Sequence, residues 1–156
     1  AKLRELESGF NMVWEGGFEN EPNKSIAYRT LWRNIENSIS TRDAHSGKIA
    51  CKLLNTEKDV WKDACVQTIN VHKNTDYVVS GWAKSSIAGS TGSYLGVRLS
   101  DGRICDANPS LKTDEWTKIS VMFNTGDCAS LDVFFGTWGA EGLSVTVDDI
   151  SLAPKK

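Results

Sequence analysis

A chain of 156 residues with 18 basic and 20 acidic side chains carries a formal net charge of -2, which excludes the basic face that non-specific binding of nucleic acid requires. The length suits one domain, residues 1–156, with a core over 11–152 large enough to support it. No apolar run approaches the roughly 20 residues of a membrane-spanning helix, so neither nucleic acid nor membrane is an expected partner.

Taken in chain order, the first signal is Gly16-Gly17-Phe18-Glu19, a carboxylate beside an apolar residue after two glycines. The stretch Tyr28–Arg33 reads as a loop, and its Trp32 is either a stacking platform or a packed anchor. Then come short alternating runs: Ile49–Leu54, Val66–Val71, Tyr77–Lys84, Tyr94–Leu99, Thr117–Phe123, Leu131–Thr137 and Leu143–Leu152. Gly, Asn, Asp and Ser clusters such as Lys73-Asn74-Thr75-Asp76 and Asn124-Thr125-Gly126-Asp127 separate them. Short strands at this spacing, with no helix-period segment of any length, predict an all-β, two-sheet antiparallel β-sandwich.

Alternation assigns each strand two faces. Leu95, Val97 and Leu99 point to the core, as do Ile119, Val121 and Phe123, and Leu131, Val133 and Phe135. If the strands share one sheet, its outward face carries Trp82, Tyr94, Arg98, Phe134 and Trp138. Exposed aromatic surface of that extent marks a binding site, and flat rings suit the C–H face of a pyranose. Trp116, opening a strand after Thr113-Asp114-Glu115, reads instead as a core residue.

The last strand slips phase. Val145 and Val147 agree with each other, while Ile150 and Leu152 are one residue off, so a β-bulge is expected at Asp148-Asp149, aiming one of these acids at something. Glu19 and Asp148, from opposite ends of the chain, would repel if brought together without a cation between them. Calcium, taking 6–8 oxygens, with backbone carbonyls completing the shell, is the expected structural ion.

Cys51, Cys65, Cys105 and Cys128 contain no Cys-x-x-Cys pair, which argues against zinc or a redox motif. They pair as disulfides, with 51–65 and 105–128 preferred on the expectation of adjacent strands, or remain small buried thiols. Asp43, His45 and Ser46 include every residue type of a hydrolytic triad but crowd one turn, where relay geometry is hard to reach. Neither Asp114-Glu115 nor Asp148-Asp149 is spaced for glycoside hydrolysis. The chain therefore reads as a binding module and not as an enzyme.

Several segments in this order carry a family resemblance: Asn11-Met-Val-Trp-Glu-Gly-Gly-Phe-Glu19, His45-Ser-Gly-Lys48, Gln67–Val71, Asn74–Lys84, Asp114–Lys118 and Val147–Leu152. From Asn11 to Leu152 the chain resembles the non-catalytic carbohydrate-binding modules of the jelly-roll group, families four, nine, sixteen and twenty-two, family sixteen looking closest. The resemblance implies a jelly roll of the galactose-binding-domain-like kind and a monomer. It also implies export from a bacterium beside a catalytic domain in the same parent chain, and a polysaccharide ligand: one β-linked chain of β-glucan, mannan or xylan in an aromatic-lined cleft. A structural spacer without sugar affinity is the alternative.

By the same resemblance, calcium would be held by the Gly17 carbonyl, the Glu19 and Asp148 carboxylates and carbonyls of the turn from Ser46 to Lys48. Trp32 and Trp138 match, by position, tryptophans that sandwich sugars in family sixteen, while Trp82, Tyr94 and Arg98 match more loosely. The cysteines, the stretch Asn55–Ala64 with Trp61, and the polar segment Tyr28–Arg33 depart from the pattern.

Overall fold

Period-2 burial is what the alternating runs become. In the computed structural model, which describes residues 11–20, 25–139 and 141–156, nine strands carry it. They are β1 (Ser38–Thr41), β2 (Ala50–Leu54), β3 (Lys62–Asn70), β4 (Asp76–Ser85), β5 (Ser93–Leu99), β6 (Ile104–Ala107), β7 (Thr117–Asn124), β8 (Ser130–Thr137) and β9 (Ser144–Pro154). A five-stranded sheet runs β1-β2-β9-β4-β7 and a four-stranded sheet β3-β8-β5-β6. Every strand pairing is antiparallel. This is the two-sheet sandwich that the alternation predicts.

The inner faces are those expected. Leu95, Val97 and Leu99, and Leu131, Val133 and Phe135, are buried against Val79, Ala83, Ile119, Val147 and Leu152 of the other sheet. Each such side chain contributes roughly 1.5–3 kcal/mol of burial. Some short elements escape a sequence reading. Helix α1 (Ile26–Leu31), capped by Ser25 Oγ accepting the Tyr28 N–H at 3.0 Å, is too short to display a 3.6-residue period. Strands β1 and β6 have four residues each. β3 also begins four residues earlier than expected, at Lys62, because an irregularity between Asp63 and Cys65 breaks its alternation.

The bulge in β9 is present. Trp82 pairs with Asp148 and Ser80 with Ser151, so β9 spends one extra residue opposite Gly81, and Asp149 there adopts a left-handed φ of 51°. The N-terminal segment is tied to the same place. Ile150 donates its N–H to the Gly16 carbonyl at 3.0 Å, Asn11 Nδ2 donates to Ile150 O at 2.9 Å, and Asn11 Oδ1 accepts the Leu152 N–H at 3.0 Å. A Cβ on Gly16 would collide with the Ile150 carbonyl, which explains a glycine there.

Two expectations fail at this level. Trp82 lies on β4 of the five-stranded sheet, whereas Tyr94, Arg98, Phe134 and Trp138 belong to or follow β5 and β8 of the other. The single outward aromatic face is therefore two faces on opposite sides of the molecule. All four cysteines are free thiols, and Cys51 and Cys65 sit on strands of different sheets, not adjacent ones. Both are buried, and burial, with Cys51 beside it, pushes the Cys65 thiol well up.

Candidate functional site

The outer face of the four-stranded sheet is built by cross-strand pairs. Gly96 of β5 stands opposite Phe134 of β8, Tyr94 opposite Gly136, and Arg98 opposite Asp132. Trp61, which immediately precedes β3, lies across the bare backbone of Gly136. A Cβ there would stand 2.5 Å from the indole. The indole meets Tyr94 edge-on at 5.5 Å and Phe134 at 5.8 Å. Arg98 rests its guanidinium 4.1 Å above the Phe134 ring and 5.7 Å from Trp61. Phe134 itself is buried beneath these two groups, so it is the support of the surface and not its exposed platform.

One carboxylate organises this layer. Asp63 Oδ1 accepts the Trp61 indole N–H at 2.9 Å and an Arg98 Nη2–H at 2.9 Å, while its Oδ2 accepts from Asn34 Nδ2 at 3.1 Å. On the far side Gly96 lets β6 approach closely, since an added Cβ would strike Cys105 and Asp106. Ile104 and Asp106 of β6 thereby face Trp61 and Arg98 across a groove of about 350 Å³. Mostly apolar lining with a few fixed polar groups is what a small-molecule site requires. Trp138, 46 % exposed just past β8, stands in outward phase with Phe134 and Gly136.

Sequence reasoning placed Tyr94, Arg98 and Trp138 on this side and missed Trp61 and Asp63. Trp61 falls outside any alternating run. The available signal was Gly136, a glycine on an otherwise aromatic face, which marks close approach by another group.

The outer face of the five-stranded sheet also holds aromatics, but the chain covers them. His45 stacks on Trp82 at 4.2 Å with 13° between planes and meets Trp116 edge-on at 5.7 Å. Lys84 Nζ lies 4.8 Å over Trp116 and donates to Asp43 Oδ1 at 2.9 Å. Trp116 is thus half-buried on the surface and not in the core. Asp43 is held by Lys84, and His45 and Ser46 both hydrogen-bond Asp149 Oδ2 at 2.7 Å, an arrangement in which Ser46 has no relay through His45.

Trp32 is corrected more sharply. It is 0 % exposed, stacked on Phe18 at 5.4 Å, with its indole N–H donated to the Glu15 carbonyl at 3.1 Å. Trp32 is the packed anchor of the two readings, and it offers no ring face to a ligand.

The acids at the chain's two ends converge under one loop. Asp148 Oδ2 accepts the N–H groups of His45 and Ser46 at 3.0 and 3.2 Å, and its Oδ1 that of Asp149 at 2.8 Å. Glu19 accepts the N–H groups of Lys48 and Ile49 at 2.8 and 3.0 Å. Gly17 lies close by, a Cβ on it falling 3.5 Å from Asp149 Oδ1. Ser46 and Lys48 thus enter through N–H donors, where carbonyl ligands were expected. Burial, with the neighbouring Asp149 adding to it, pushes the Asp148 carboxyl up to about 6 despite these donors. The donor set is hard oxygen, and Asp148 draws its contacts from backbone N–H groups, not from a basic side chain. Carboxylate oxygen is the donor type that calcium takes. Among the described residues no three His, Cys, Asp or Glu side chains converge on one point, so a cation here would need backbone oxygens.

The family model described as carbohydrate binding domain matches residues 11–146. No curated protein matches the chain. Among solved structures it is similar to a family 16 carbohydrate binding module, at a TM-score of 0.70 and 18 % identity over 92 % of this chain and 99 % of that one. It is similar to TmCBM61 in complex with β-1,4-galactotriose, at 0.69 and 16 % over 94 % and 99 %. A third is the xylan-binding CBM22-1 domain of Paenibacillus barcinonensis Xyn10C, at 0.53 and 17 % over 76 % and 81 %. At such identities the likeness is one of fold.

Proposed function

This chain belongs to the carbohydrate binding domain family, and from that membership we propose that it is a non-catalytic module whose four-stranded sheet binds a single β-linked glycan chain. β-Glucan, mannan and xylan are the candidate ligands. The observation that carries the assignment is the groove of about 350 Å³ between Trp61, Arg98, Ile104 and Asp106, on the sheet whose strand β8 leads into the exposed Trp138. A flat indole held by its own N–H, beside planar guanidinium and carboxylate groups, offers apolar contact to ring C–H groups and hydrogen bonds to hydroxyls. The charges favour neutral sugars: Arg98 is paired with Asp63 and Arg33 with Asp132. Such a module would act as a monomer that tethers a secreted bacterial glycan-degrading domain of the same parent chain to its substrate.

Affinity electrophoresis on soluble β-glucan, mannan and xylan tests the site. Trp61→Ala and Trp138→Ala are expected to lose retardation, whereas Trp82→Ala, on the opposite sheet, keeps it. Parent-like retardation of both groove variants, on a polysaccharide that the parent binds, would sink the assignment. If the parent binds nothing across a broad glycan array, the spacer reading replaces this one.

We also propose a structural calcium held by Glu19 and Asp148, with backbone oxygen from Gly17 and the 46–48 turn. Support comes from the buried Asp148 charge and from two acids meeting under one loop. An ion bound only to the folded state raises its stability, so a chelator is expected to lower the melting temperature. An unchanged melting curve removes the ion from the account.

A further inference from the structure

We infer that Asp63 sets the charge preference of the groove, by fixing the Trp61 indole and by cancelling the Arg98 charge that would otherwise attract acidic sugars. The inference rests on the reading that this groove binds glycans, and it names the class that the groove favours, neutral chains over uronates.

The geometry is specific. Asp63 Oδ1 accepts from two groups at once, the Trp61 indole N–H and Arg98 Nη2, each at 2.9 Å. The Arg98 guanidinium is thus held over Phe134 while its charge is met by a carboxylate whose side chain is only 18 % exposed. The remaining charged group lining the groove, Asp106, is also acidic. Arg98 contributes donors to a ligand without contributing net positive charge, and a carboxylate-bearing sugar entering the groove meets Asp106 and an Arg98 already offset by Asp63. Hydroxyls of a neutral sugar can accept the unused guanidinium N–H groups at no such penalty. Asp63 is a positioning residue, acting through Trp61 and Arg98.

The two roles separate by substitution. Asp63→Asn keeps an oxygen that accepts the Trp61 N–H and removes the charge. Asp63→Ala removes both. Calorimetric titration with a neutral β-1,4-linked hexasaccharide and with an uronate hexasaccharide reads the difference. Asp63→Asn is expected to hold neutral affinity within about twofold and to tighten uronate binding about three- to fivefold, as expected for one partly exposed charge contact. That gain should fade as salt rises. Asp63→Ala is expected to weaken neutral binding by about tenfold, the worth of a lost positioning hydrogen bond.

Uronate affinity unchanged in Asp63→Asn, or a gain that ignores salt, overturns the charge role. A Trp61 indole N–H resonance that stays put in Asp63→Ala overturns the positioning role. A parent that binds neither sugar defeats the glycan reading, while the indole resonance still decides whether Asp63 holds Trp61.

Discussion

The two outer faces of the sandwich carry similar side chains and opposite fates. The five-stranded face has Trp82, Trp116 and His45, yet the loop of residues 45–49 lies on it, tied by Asp148 and Glu19, and His45 occupies the Trp82 ring. On the four-stranded face Trp61 lines an open groove beside Arg98, with Phe134 buried as its support, and two glycines let neighbours settle close. Gly136 admits the Trp61 indole and Gly96 admits β6. Aromatic content alone does not make a site. What decides is whether the chain covers its own rings, and the acids anchoring the loop do that on one side only.

The largest effect that could break this contrast is the pair of groove substitutions. Trp61→Ala and Trp138→Ala should each weaken glycan binding at least about tenfold, in the range of binding hot spots, against less than about twofold for Trp82→Ala. Equal losses on both faces would erase the distinction. Next comes Gly136→Ala. Its Cβ would meet the Trp61 ring at 2.5 Å and the Lys62 carbonyl at 2.7 Å, so it should cost about 1–3 kcal/mol of stability and weaken binding by displacing Trp61. Calorimetry of unfolding and of binding on the same variant checks both.

A pH-dependent effect sharpens the covered face. Asp148 has its carboxyl raised to about 6 in the folded protein and an ordinary, lower value unfolded. Above about pH 6 its ionised form costs the folded state, and the cost is relieved as pH falls from about 6 toward 4, because the folded state takes up the proton first. In chelator-treated protein this group should therefore make the melting temperature rise over that window, by at most about 3 kcal/mol of stability. With calcium bound the carboxylate stays ionised and the rise should vanish. A melting temperature that falls over the window in chelator would contradict the burial argument, and Asp148→Asn should flatten whichever slope is seen.

Much of the scaffold was legible. Alternation in Leu95–Leu99 and Leu131–Phe135 named the core faces because a strand has only two, and the phase slip at Asp148-Asp149 located the bulge from four apolar positions, Val145, Val147, Ile150 and Leu152. Short elements were not. Four residues of β6 or six of α1 hold too few periods to distinguish, and tertiary hydrogen bonds stabilise them. Trp61 was illegible for a related reason: it lies outside the ladder, and its partner Gly136 is 75 residues away.

Local chemistry thus determined that this chain folds as strands, which side chains of each strand meet the core, and that its two ends carry acids needing company. Those follow from the pleat and from charge, both of which act between near neighbours. Only the tertiary structure decided that Trp82 and Tyr94 lie on opposite sheets, that Trp32 is an anchor and Trp61 a groove wall, and that Asp63 joins Trp61 to Arg98. Strand order and loop placement depend on contacts between residues far apart in sequence, and alternation within a strand carries no record of which strand lies beside it.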